Sequence, residues 1–377
     1  MSIQFFNNAQ TGAPQLDKSA GSLVALLDAC LVDGFGSVTM DSISVSSGVA
    51  TATLSTGHGI AMFGTLSPWI VIAGATPSAL NGTTRVTVTS ASQFTFATTA
   101  ADGTATGTIT AKKAPLGWSK AFSGTNKAAY RSNDITGPQF YLRVDDGYDT
   151  YIEALIAGYE SMSDIDTGTD RFPTSAQSAN GLYMFKSNAA AGTYRSWWLI
   201  GDGSRFYLIA DPLATMSSYY IYGAMFFGRV NSFASEDAYN TLIVGGPSSS
   251  QPGGLATLAS SGVSGMYLAR SAGGSNKSYA CGRHSHKGWG STSSGGEVYP
   301  TPVGELLKLA IIEVWDGSLQ SRGIQPGQYA LGHTFTAGTA GAAFFVALVV
   351  NGRTYVILPM ATSSYVGAAF DLTGPWE

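Results

Sequence analysis

Charge is what this chain has least of. Only 12% of its 377 residues are Asp, Glu, Lys or Arg, roughly half the usual share, so few solvated helix faces can be built. The formal net charge is -4 and no run of Lys and Arg occurs, which excludes a nucleic-acid partner, because phosphate binding needs clustered cations. Cysteine is nearly absent too. Cys30 and Cys281 fit synthesis in a reducing compartment, and whether they pair is left open by the sequence. The opening MSIQFFNNAQTGAPQLDKSAG has neither a basic nor an apolar region of a secretory leader. The most apolar run, Ala342 to Leu358, is shorter than the roughly 20 residues of a membrane span and is broken by Asn351 and Arg353. A soluble protein made in a cytoplasm is expected. There is no internal repeat, and the GxSxG, HExxH and GxxxxGK[ST] motifs are missing; two GxG fragments, Gly34 to Gly36 and Gly201 to Gly203, lack the rest of a dinucleotide fingerprint. The expectation is no catalytic residue, no enzyme activity and no cofactor.

What is abundant is glycine, at 47 residues, and aromatic side chains, at 18 Phe, 18 Tyr and 7 Trp. Both point to strands and turns. Between Ser42 and Lys113 the segments VATATLS, WIVIAGA, TTRVTVTS, QFTFATT and TATGTITAKK are β-branched runs closed by Gly, Pro, Asn or Asp, the pattern of a small all-β module. The flanking GFGSVT and APLGWSKAFSGTNKAAYR read as two halves of one host loop, into which a module whose ends lie together can be inserted. The expected organisation is a host in two segments, 1–41 and 114–377 (with room for two subdomains), and an inserted β-sandwich-like module at 42–113. Hinges are expected at Val38 to Ser42 and Lys113 to Gly117, so that Val38 could be joined to Pro115. By bulk, Val49, Val71, Val86, Val88, Phe94, Phe96 and Ile109 are the module's candidate core.

In the host, Ser22 to Val32 is the one expected helix: Leu23, Leu26, Leu27 and Cys30 recur at helical spacing, Lys18 to Ser22 would cap it, and Gly34 would stop it. The remainder reads as antiparallel strands with Gly, Asp, Asn or Pro between them. The sharpest hairpins are FFVALVV-NGR-TYVILP, on an Asn-Gly turn, and RSWWLI-GDGS-RFYLIA. YIEALIAGYES fits a strand or a short helix. The fold class expected is therefore mainly β, with one N-terminal helix.

Three groups of side chains are candidates for chemistry. Cys281, His284 and His286 have zinc-ligand identities but supply only three local ligands, and the preferred reading of CGRHSH is a polar surface loop without metal. Asp164, Asp166 and Asp170 alternate like the start of a calcium loop but lack its glycine and its glutamate; with Asp145, Asp146 and Asp149 nearby, turn-forming carboxylates are the simpler reading. Trp197-Trp198 and Tyr219-Tyr220-Ile-Tyr222 could stack on sugars, although alternating aromatics in strands usually serve a core or interface. Low charge itself suggests a protein that buries surface in an assembly, with Phe370, Leu372 and Trp376 near the end of the chain as interface residues.

The host segments LLDACLVDGFG, GWSKAFSGTNKAAYRS, FYLRVDD, GYESMSDIDTGTDRFP, RFYLIAD, DAYNT and RGIQPGQY resemble a family of tailed-bacteriophage virion structural proteins found in phages of Pseudomonas and Burkholderia. Members commonly lack the 42–113 module, which itself resembles the immunoglobulin-like modules of phage tail and capsid proteins. The resemblance implies a non-enzymatic virion component, tail-tip or baseplate associated, forming homo-oligomers and contacting other phage structural proteins. The alternatives are a capsid-decorating or minor capsid protein and a receptor-binding adhesin contacting a host-surface glycan.

Overall fold

A computed structural model describes residues 3–60, 66–147, 152–187, 192–210, 223–247, 265–285, 309–318, 320–331, 346–359 and 367–376. His286, His333, Asp149 and Tyr219 to Tyr222 lie outside the described residues. In chain order the first elements are β1 (Gln4–Asn7), α1 (Ser22–Leu27), β2 (Phe35–Thr39), β3 (Ser42–Ser46), β4 (Val49–Thr53), β5 (Trp69–Ala73), β6 (Gly82–Arg85), β7 (Thr87–Ser90), β8 (Gln93–Ala97), β9 (Gly103–Thr104) and β10 (Thr110–Lys113). Then come β11 (Ser119–Gly124), β12 (Lys127–Arg131), β13 (Tyr141–Asp145), β14 (Glu153–Met162), β15 (Gly168–Phe172), β16 (Leu182–Phe185), β17 (Trp197–Gly201), β18 (Arg205–Ala210), β19 (Gly223–Arg229), β20 (Asn231–Ser232) and β21 (Thr241–Val244). The last are β22 (Met266–Arg270), β23 (Lys277–Ser285), β24 (Leu309–Asp316), β25 (Ser321–Leu331), β26 (Val346–Val350), β27 (Arg353–Pro359) and β28 (Gly367–Asp371). The fold is mainly antiparallel β, as composition implies.

The module consists of two facing sheets, β2-β10-β5-β6 and β7-β8-β4-β3-β9, which share a core of their own. Val86, Phe94, Phe96 and Ile109 belong to that core, but Val71 and Val88 do not and Val49 is 46% exposed. The reason is strand parity. In β5, Ile70 and Ile72 point inward, so Val71 between them must point out, however bulky it is. The first strand of these sheets is β2: Val38 pairs with Ala111 and Phe35 with Lys113. The module's sheets thus start at Phe35 and not at Ser42, and Val38 to Ser42 is strand and turn within them, not a hinge. The two ends meet where Gly34 adjoins Lys113 and Pro115.

The host has three layers. A small sheet, β11-β12-β13-β14-β15 with β16 also on β14, covers one face of a 13-stranded sheet that runs β1-β17-β18-β19-β21-β22-β23-β24-β25-β28-β27-β26, with β20 on β25. The long sheet folds back over itself. Trp197, Leu199, Phe206, Leu208, Met225, Phe227 and Ile243 face the small sheet and the helix, whereas Trp198, Ile200, Tyr207, Ile209, Phe226, Leu242 and Val244 face Cys281, Val314, Val356 and Phe370 on the returning strands. Strands β17, β18 and β21 are buried at every position, which is why WWLIG, FYLIA and LIV within them are unbroken apolar runs. YIEALIAGYES resolves as strand, since β14 needs ten extended residues to pair with β13, β15 and β16.

The helix begins at Ser22 as expected, but α1 passes into a π-helical turn over Asp28–Asp33 before Gly34 ends it with a positive φ of 75°. Its cap is not local. Gly21 offers no side chain, and the Leu23 N–H donates to Asp146 Oδ2 at 2.8 Å while the Gly21 N–H donates to the Asp146 carbonyl at 2.9 Å. A negative charge at a helix start is favourable. Both Asp146 and its ion-pair partner Lys186 are wholly buried, and Lys186 Nζ also donates to the Ser19 carbonyl at 3.0 Å. Burial pushes the Asp146 carboxyl up to about 6 despite the pull of Lys186.

Candidate functional site

The residues singled out in the sequence are dispersed. Cys281 is fully buried in the second core, on β23, paired in register with Asp316. CGRHSH is therefore not a surface loop at its start: Cys281 to Ser285 continue a central strand, because a small apolar thiol packs well between sheet layers. His284 stands opposite Glu313 in the same ladder. Cys30 is the other free thiol, also buried, and burial pushes its pKa well up. Among the described residues no group of three His, Cys, Asp or Glu side chains is placed to hold a metal ion.

The acidic segment is matched by cations of the chain itself. Asp166 accepts from Lys127 at 2.9 Å and Arg143 at 2.6 Å, and those hydrogen bonds hold its carboxyl below the usual range. Asp145 lies 3.1 Å from Arg143. Asp170 pairs with Lys277 and, at 3.5 Å, with Arg270, while Arg270 grips Glu160 with two bonds of 2.6 Å. Asp164 accepts the Asp166 N–H at 2.8 Å, a turn-forming role. These pairs tie β14 and β15 to β22 and β23.

Trp197 and Trp198 are buried on opposite faces of one strand, which removes them as a sugar platform. Phe370, Leu372 and Trp376 are likewise buried in the chain's own second core and have no free face to offer a neighbour. The reason is a clamp formed by the end of the chain. The Trp376 indole donates to the Asp371 carbonyl at 2.8 Å, and its ring lies 5.7 Å from that of Tyr207, whose hydroxyl donates to the Pro326 carbonyl at 2.6 Å. His58 is also interior. Its Nδ1 accepts the Ile60 N–H at 2.9 Å and its Nε2 lies 2.6 Å from the Ser90 carbonyl, an arrangement that needs the neutral ring protonated on Nε2.

One open feature is announced by no motif. A cleft of about 580 Å³ is lined by Asp134, Thr136, Asp202, Ser204, Arg205, Arg229, Asn231, Ser232 and Asn240. It is formed where the 132–136 turn of the small sheet meets the β17–β18 and β19–β20 turns of the long one. Arg229 Nη2 donates to Asp134 at 2.7 Å and Arg229 Nη1 to Thr136 Oγ1 at 3.3 Å. Burial pushes the Asp134 carboxyl up, but the Thr136 bonds and the Arg229 guanidinium prevail and hold it low. Arg205 lies 3.6 Å from Asp202 and donates to the Arg229 carbonyl at 3.3 Å and the Trp376 carbonyl at 2.5 Å. Two guanidiniums thus oppose two carboxylates and the cleft is formally neutral. Beside its lining residues stand Ile135, 86% exposed, and Phe233, 59% exposed. The chemistry on offer includes hydrogen bonding, charge pairing and apolar contact.

No family model matches the chain, and no curated protein does. Among solved structures it is similar to a phage phi92 endosialidase, at 11% identity, over 90% of this chain and 52% of that one, with a TM-score of 0.15. The chain spans about half the length of that structure, and a likeness so slight assigns neither fold nor activity.

Proposed function

We propose that this chain is a non-enzymatic structural component of a tailed-phage particle, associated with the tail tip or baseplate, present in multiple copies and made in the cytoplasm of the bacterial host. The observation that carries this reading is the end of the long sheet. Among the described residues β26 pairs only with β27, and its sequence VALVV has no charge, no proline and no bulge, with Val349 57% exposed. A monomer normally protects such an edge, because unpaired N–H and C=O groups recruit other strands; in an assembly the same edge is a docking element. The sequence resemblance to virion proteins points the same way.

Immunogold labelling of particles, with the copy number from quantitative mass spectrometry, tests the location. Several copies at the tail support the reading; absence from purified particles overturns it. Val349→Lys should abolish multimers seen by light scattering while leaving the circular dichroism unchanged.

The cleft favours a second reading. An exposed Phe233 beside neutral, hydroxyl- and amide-rich walls suits a sugar ring, which presents an apolar face and a rim of hydroxyls. A receptor-binding protein contacting a host-surface glycan would use it, and glycan-array binding lost in Phe233→Ala would favour that role.

A further inference from the structure

The seam between module and host holds a second cavity, of about 210 Å³, with different chemistry. Its wall carries two cations, Lys113 at the end of β10 and Arg85 at the end of β6, and no carboxylate. Lys120, Lys127, Arg143, Lys186, Arg229, Arg270, Arg322 and Arg353 each have an acidic partner. Lys113 has none among the described residues. Its ammonium stands 5.7 Å over the ring of Phe6, and the buried Cys30 thiol acts on it electrostatically. Among the described residues Arg85 donates to the Ser67 carbonyl, at 3.3 Å.

An ammonium withdrawn from water without a counter-charge is costly. Burial pulls the Lys113 pKa down to about 8, so the group is still mainly charged at neutral pH and would gain from an anion. The rest of the wall is mixed: Phe5, Pro68 and Trp69 give it an apolar side, beside the polar Gln4, Gln10, Ser67 and Thr373. Gln4 is anchored by its Nε2 to the Pro115 carbonyl at 2.8 Å, which fixes the side of the cavity nearest Pro115.

We infer that the seam cavity binds a small organic carboxylate, with Lys113 and Arg85 meeting the anion and Trp69, Phe5 and Pro68 covering an apolar or aromatic body. The cavity has the volume of about seven water molecules at roughly 30 Å³ each, which suits a single ring or a short chain. The site would join module and host through a bound molecule, and it stands whether or not the chain belongs to a particle.

Titration calorimetry of the full chain with benzoate, benzyl alcohol, benzylamine and inorganic phosphate tests this. Benzoate should bind, the alcohol and amine should not, and Lys113→Met should weaken benzoate at least about tenfold, the equivalent of roughly 1.4 kcal/mol. Arg85→Gln should weaken it as well. Benzoate should also protect Lys113 of the unaltered protein from reductive methylation, as read by mass spectrometry, a measurement independent of whether the variants fold. No benzoate binding, equal binding by Lys113→Met, or phosphate binding as tightly as benzoate would each overturn the assignment. A peptide ending in a Phe carboxylate that competes with benzoate would identify a protein chain end as the source of the same chemistry; failure to compete leaves a free small molecule as the ligand.

Discussion

Replacing Lys186 by Met should destabilise the protein in a pH-dependent way, and the size of the effect follows from the buried pair. In the native fold the Asp146 carboxyl has been pushed from 3.8 to about 6, so keeping it ionised at pH 7 costs about 3 kcal/mol relative to the unfolded chain at 1.36 kcal/mol per unit. Without Lys186 the carboxyl moves higher and the fold carries it protonated, at a cost of about 4 kcal/mol at pH 7 by the same conversion. The electrostatic increment is therefore about 1 to 2 kcal/mol. Loss of the Lys186 bond to the Ser19 carbonyl, which keeps the Ser22 N–H at 3.2 Å, adds about 1 kcal/mol that does not depend on pH. The sign is fixed by proton binding: the folded chain holds the Asp146 proton more tightly than the unfolded one, so the benefit of the neutral carboxyl is full below 3.8 and is lost as pH rises through the folded value. Both proteins gain from acidification between pH 7 and pH 5, and the variant gains more. Urea unfolding at the two pH values measures the difference. Asp146→Asn combined with Lys186→Met should recover part of the loss, since no charge then remains buried. A penalty for Lys186→Met that is the same at pH 5 and pH 7, or is below about 0.5 kcal/mol at pH 7, would refute the ion-pair account of the helix cap.

Gly327 has φ 66° and a Cβ there would sit 2.1 Å from the Trp376 ring, so Gly327→Ala should cost at least about 2 kcal/mol from strain and overlap, seen as a lower urea midpoint with altered tryptophan fluorescence. A neutral Gly327→Ala would show that the clamp is not closed. Cys30 and Cys281 should resist a thiol reagent in the native protein and react at two equivalents per chain in urea; Cys281→Ser should cost about 1 to 3 kcal/mol by burying a hydroxyl in an apolar core. Excising the module so that Gly36 is joined to Pro115 keeps Phe35, which packs 5.8 Å from Phe6, and should leave a host with native β-sheet circular dichroism and a cooperative melt. An unfolded product would mean that the module is part of the host's core.

The readable features were local. The Asn351-Gly352 turn, with φ 49° and 75°, closes β26 and β27 in the register its sequence demands, and the 197–210 hairpin turns at Asp202, whose carboxylate accepts the Ser204 and Arg205 N–H groups. Helix stop and the β character of the 42–113 segment depend on neighbours within a few residues and are equally legible, whereas the cap at the helix start comes from the distant Asp146. What escaped depends on partners far along the chain. Val71 and Ile72 are equivalent in bulk, and only the facing sheet decides which is core. Asp146 and Lys186 lie 40 residues apart and nothing near either marks them as a pair. The cleft, too, gathers Asp134, Arg205 and Arg229 from three separate turns, so no spacing rule could collect them.

The same distinction changes what low charge means. Abundant aromatics with few ions suggest an interface of exposed rings, yet Phe226, Phe370 and Trp376 pack tilted or edge-on around Tyr207 inside the folded-over sheet. The scarce charges join separated parts of the chain: Arg270 to Glu160 between the small and long sheets, Arg322 to Asp237, and Arg353 to Asp371. Trimming Trp376 therefore unfolds the end of the chain before it could test any contact with a neighbour, and surface for assembly has to come from backbone edges and uncharged side chains such as those of β26. Contacts of that kind rest on hydrogen bonds and apolar area, which ions do not screen, whereas Lys and Arg contacts weaken as salt rises. Multimers of this protein should accordingly persist in 1 M sodium chloride, where the Debye length is about 3 Å, and dissociate in Val349→Lys at low salt. Multimers stripped by salt alone would place the interface on charged groups and remove β26 as the docking edge.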